Sequence, residues 1–150
     1  MKRIASIAVL AGLTFAAGAV LAHDDAYLDT QKAPNGGQLR MAGPNHYELV
    51  LAKDATEAKE NPVVVYVTDH AGQKISTAGA AGTATILAGK LKGAATLKPD
   101  GDNRMKGVAK YASTPDTKVV VSITLAGKQP EQARFTPLAI AKDTHSDHKH

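Results

Sequence analysis

The chain has 150 residues, with 18 basic and 14 acidic side chains and no cysteine. This near balance offers no electrostatic hold on nucleic acid, and the missing thiols exclude disulfides, thiolate chemistry and cysteine-ligated metal sites. The length suffices for one domain and one core, so stability has to come from packing.

Lys2 and Arg3 precede an uncharged run over residues 4–21 that closes on Ala19-Val20-Leu21-Ala22. A short apolar run rich in Ala and Gly, with Val20 and Ala22 three and one places before a cut, reads as a secretory signal peptide over residues 1–22. It is not a transmembrane anchor. The expected compartment is the periplasm, with no membrane span left after cleavage. Residues 23–34 mix charge with little apolar content and predict a flexible leader.

Residues 35–141 read as short strands separated by turns. Gly36-Gly37 permit a tight entry turn at positive φ. Tyr47, Leu49 and Leu51 alternate with His46, Glu48 and Val50, the pattern of a half-buried strand. Residues 54–60 are the one helical candidate, where Asp54 and Glu57 fit a capping box. So short a segment predicts a single turn of helix within a loop. Residues 62–68 are apolar on both faces and predict a central strand, ending in the turn-like Asp69-His70-Ala71-Gly72. Residues 83–87 alternate again. Residues 95–98 stop at Pro99-Asp100-Gly101-Asp102-Asn103, the clearest turn signal, and residues 105–111 return as its partner strand. Residues 118–125 place Val119, Val121, Ile123 and Leu125 on one face, and residues 134–140 close the domain. The expected fold is all-β: a single antiparallel β-sandwich, immunoglobulin-like, with disordered termini. Residues 142–150 hold no apolar side chain and predict a disordered, His-rich tail.

The candidate chemistry lies in histidine. A cut after Ala22 gives His23 both an imidazole and a free α-amine, followed by Asp24 and Asp25. The tail carries His145, His148 and His150, flanked by Asp143 and Asp147. His46 and His70 stand in the body, each by itself reading as a surface or turn histidine. These six are the candidate metal ligands, and imidazole suits copper, zinc, cobalt or nickel. Such a site weakens as imidazoles protonate below about pH 6.5. Met41 and Met105 are soft thioethers suited to copper(I), or else gap-filling core residues. No His-Glu-x-x-His, Gly-x-Ser-x-Gly or phosphate-loop pattern occurs, so no enzyme is expected.

Three segments in fixed order carry a resemblance: Pro34-Asn35-Gly36-Gly37-Gln38, His46-Tyr47-Glu48-Leu49-Val50, and Val65-Tyr66-Val67-Thr68-Asp69-His70-Ala71-Gly72. Their order resembles small periplasmic proteins associated with heavy-metal efflux. It is also similar to the N-terminal region of the periplasmic adaptor subunits of cobalt–zinc–cadmium and copper efflux pumps. The likeness spans residues 33–136. Those proteins commonly carry His before the two glycines, where this chain has Asn35, so that ligand does not transfer; His46 matches directly. The resemblance implies a periplasmic β-domain in metal handling, with an efflux-pump adaptor as partner. The sequence therefore supports a metal-binding accessory protein that buffers or delivers a transition metal. The alternative is an envelope interaction module, without metal, that pairs through a strand edge or loop.

Overall fold

The computed structural model describes residues 25–139. One short helix, α1 (Asp25–Asp29), precedes eight strands: β1 (Gln38–Ala42), β2 (Asn45–Leu51), β3 (Lys59–Asp69), β4 (Ala81–Ala88), β5 (Leu91–Pro99), β6 (Arg104–Tyr111), β7 (Lys118–Thr124) and β8 (Pro130–Phe135). All pairings are antiparallel, in the order β1-β2-β3-β6-β5-β4-β7-β8. Within it β7-β4-β5-β6 form a Greek key, β7 returning beside β4 after two consecutive hairpins.

The all-β, antiparallel expectation holds, but hydrogen bonding links the strands into one sheet that curls almost into a barrel. Two joints are sparse. β5 and β6 pair only at Lys98↔Lys106 and Pro99↔Met105. β1 and β8 meet without a backbone ladder among the described residues; there the Gln38 side chain accepts from the Thr136 N–H at 2.8 Å.

The period-two pattern builds the interior. Tyr47, Leu49 and Leu51 of β2 meet Val63, Val65 and Val67 of β3, with Met105 and Tyr111 from β6, Ile86 from β4, and Val119, Val121 and Ile123 from β7. All are buried. β3 is central, as its two apolar faces predict: Val64 and Tyr66, on its outer side, are also half-buried.

Two expectations fail locally. Residues 54–60 form no helix, because the polar backbone there finds partners outside any helical ladder. Ala52 N–H donates to the Tyr111 hydroxyl at 2.9 Å, Ala55 N–H donates to Ser113 Oγ at 3.0 Å, and Ser113 N–H returns a bond to the Ala55 carbonyl at 2.8 Å. Lys59 and Glu60 then join β3 opposite Tyr111 and Lys110. The last strand runs over Pro130–Phe135 rather than residues 134–140, its register fixed by Ala133 and Phe135 turning into the core.

The Tyr111 hydroxyl also donates to the Pro62 carbonyl at 2.5 Å, so one buried phenol satisfies two backbone groups. Tyr111→Phe leaves both groups unpaired and is expected to cost about 1–3 kcal/mol in chemical denaturation. Burial, reinforced at Tyr47 by the Glu131 charge, pushes the Tyr47 and Tyr111 phenols up from their ordinary value. A folded pKa above the unfolded one stabilises fully below the unfolded value, about 10, and that contribution is lost as pH rises through the folded one. Urea midpoints should therefore fall above about pH 10, less steeply in Tyr47→Phe than in the parent chain.

Candidate functional site

On β2 the sequence places His46 and Glu48 on the face opposite Tyr47 and Leu49. That face should meet solvent. Instead both are buried, His46 at 7 % and Glu48 at 3 % exposure. The segment before β1 covers them. Where composition predicts a flexible leader, residues 25–34 carry α1 and bury Leu28 and Ala33. A helix this short is not stable alone, and tertiary contacts hold it. Arg40 of β1, itself buried, binds Asp29 at 2.8 Å and lies 3.7 Å from Asp25.

Glu48 is the second anchor. Its carboxylate accepts the Asn35 N–H at 2.9 Å, the Asn35 side-chain amide at 3.0 Å and the Gly37 N–H at 2.9 Å. A buried carboxylate needs such donors. The two glycines deliver them. Gly36 sits at φ +73°, and a Cβ on Gly37 would collide with the Leu49 carbonyl, so the backbone reaches Glu48 only without side chains here.

His70 arrives from the turn after β3. The Asp69 carboxylate accepts from Ala71 and Gln73 N–H, each at 2.9 Å, a local turn that folds the chain back. Thr68 stands opposite His46 in the register, so the turn lays His70 over His46. The two rings stack with centroids 4.8 Å apart and planes 18° from parallel, and the Nε2 atoms of both are shielded from solvent. His46 is thus no surface histidine. The rings open on a cavity of about 440 Å³ whose walls include Tyr27 and Leu28 from the leader, Glu48 from β2, Tyr66 from β3 and Lys74 beyond the turn.

The structure brings His46 and His70 together out of the six expected ligands. His23, His145, His148 and His150 lie outside the described residues. Met105 is a core residue, whereas Met41 stands directly opposite His46 across β1 and β2. Sequence reasoning missed Glu48 as an anchor and Asn35 as its donor. The signal was present as an acid on a strand whose neighbours are apolar, but the residues that shield it come from the leader. Among the described residues, no three His, Asp or Glu side chains cluster closely enough to hold a metal ion. Comparison of the chain with protein families, with characterised proteins and with solved structures finds no match.

Glu48→Ala removes the acceptor of three N–H groups and is expected to destabilise by about 1–3 kcal/mol. Hydrogen exchange should locate the damage: the Asn35 and Gly37 amides lose protection while the Val65 and Val121 amides keep theirs.

Proposed function

We propose that this chain is a metal-binding accessory protein that buffers or delivers a transition metal outside the cytoplasm. One observation supports the reading best: two histidines far apart in sequence are stacked beside one open cavity with their Nε2 atoms shielded. Neutral imidazole is a good ligand for copper, zinc, cobalt and nickel. With planes nearly parallel, the two rings direct their nitrogens alongside one another rather than at a common point. Capture therefore requires a rotation, and His70, on a turn, is the freer partner. Met41, opposite His46 in the register, does not line this cavity, so the two imidazoles leave the choice among these metals open. Water or the histidines of the chain ends, His23, His145, His148 and His150, complete the coordination. The resemblance to heavy-metal efflux proteins points to the same role, with an efflux-pump adaptor as receiver and the periplasm as compartment.

For the fold we propose a two-layer reading, β1-β2-β3-β6 facing β5-β4-β7-β8, supported by the sparse β5–β6 ladder. The consecutive placing of β1, β2 and β3 in one layer differs from immunoglobulin strand order.

Calorimetric titration of the chain cleaved after Ala22 with copper(II) and zinc, near pH 7.5, tests the function. Binding at micromolar affinity or better is expected, weakened at least about tenfold by His70→Gln. Truncation after Lys142 removes only the share owed to the tail. No heat for either ion, or identical heats in His70→Gln, would overturn the assignment.

A further inference from the structure

The outer face of β5 and β6 carries a charge arrangement that the fold does not require. Lys106 and Lys110 of β6 are exposed on either side of Val108, which is itself 51 % exposed. Lys98 of β5 stands directly opposite Lys106. Like charges facing each other across an antiparallel pair destabilise it. On its other side Lys106 faces Val64, not an acid. Lys110 stands opposite Glu60, but among the described residues no carboxylate lies within ion-pair distance of Lys98, Lys106 or Lys110, and the nearby Asp100 is engaged by Arg104 at 2.9 Å.

We propose that this face docks an acidic, extended segment of another protein. The charges are complementary, and the spacing selects the form of the partner. Along β6 the order cation, apolar, cation repeats every second residue, which matches the side chains on one face of an extended chain. Carboxylates at the first and fifth positions meet Lys106 and Lys110, and an apolar side chain at the third covers Val108. Lys98 strengthens the first contact. A plane of lipid headgroups has no such register, and an almost closed barrel presents it with a convex wall. This docking surface is independent of the histidine cavity.

The experiment titrates the isotope-labelled full chain with a short peptide of the order glutamate, serine, valine, serine, glutamate, which sets carboxylate, apolar group and carboxylate on one face, reading backbone amide shifts. Shifts confined to residues 96–98 and 104–110, fading as salt rises, are expected. Lys106→Glu should weaken binding at least about tenfold. Lys98→Glu separates function from structure, because an opposite-charge pair replaces a like-charge one: its melting temperature should rise while its peptide affinity falls. The proposal is overturned if shifts are absent or lie elsewhere, or if Lys106→Glu binds as well as the parent. It is equally overturned if vesicles of phosphatidylglycerol bind this face and the peptide does not.

Discussion

A single buried carboxylate organises the outer half of this molecule. Glu48 lies on the side of β2 that a half-buried strand would leave to water, and its charge is tolerable there only because Asn35 and Gly37 aim three N–H groups at it. Those donors belong to the segment just before β1. Satisfying Glu48 therefore draws the leader onto the sheet, and Arg40 secures its far end through Asp29. The consequence is a second, small interior outside the main core. Leu28 is the apolar contribution to it, and the two imidazoles share its shelter.

This layering explains how one strand serves two purposes. Tyr47, Leu49 and Leu51 look inward and belong to a core to which every strand of the sheet contributes. His46 and Glu48 look outward into the covered cavity. A strand buried on both faces is usually apolar throughout. Here one face is polar, and each polar group there costs free energy unless it is paired. Such an arrangement is characteristic of sites rather than of cores. The stacked rings have Tyr27, Tyr66 and Lys74 around them in the same cavity. The basic face of β5 and β6 lies elsewhere on the sheet and answers to a different partner.

Periodicity made much of the fold legible. The alternation at Tyr47, Leu49 and Leu51, the doubly apolar run ending at Thr68, the Pro99-to-Asn103 turn and the Val119, Val121 and Ile123 face all appear where the pattern puts them. What escaped was whatever depends on distant partners. Residues 54–60 carry a capping-box pattern, but Ala55 bonds Ser113 and Lys59 and Glu60 pair with β6, partners which no local window contains. The leader has too little apolar surface to order by itself, yet Leu28 and Ala33 suffice once the sheet supplies the other wall. The sandwich expectation captured strand spacing and orientation but not pairing order, which local sequence does not encode. At the site, His46 and His70 were each visible as single histidines. Their meeting depends on the β2–β3 register together with the turn at Asp69, and neither can be read from spacing alone.

Metal capture as proposed requires two sequence-distant imidazoles to act as one binding unit. The most direct measurement is a long-range proton–nitrogen spectrum of the histidine rings during stepwise addition of zinc. The ring nitrogens of His46 and His70 are expected to shift together, at the same metal equivalents, with the amides of the covering leader following them. If only histidines at the chain ends respond while these two rings keep their resonances, the shielded pair is packing and not a site.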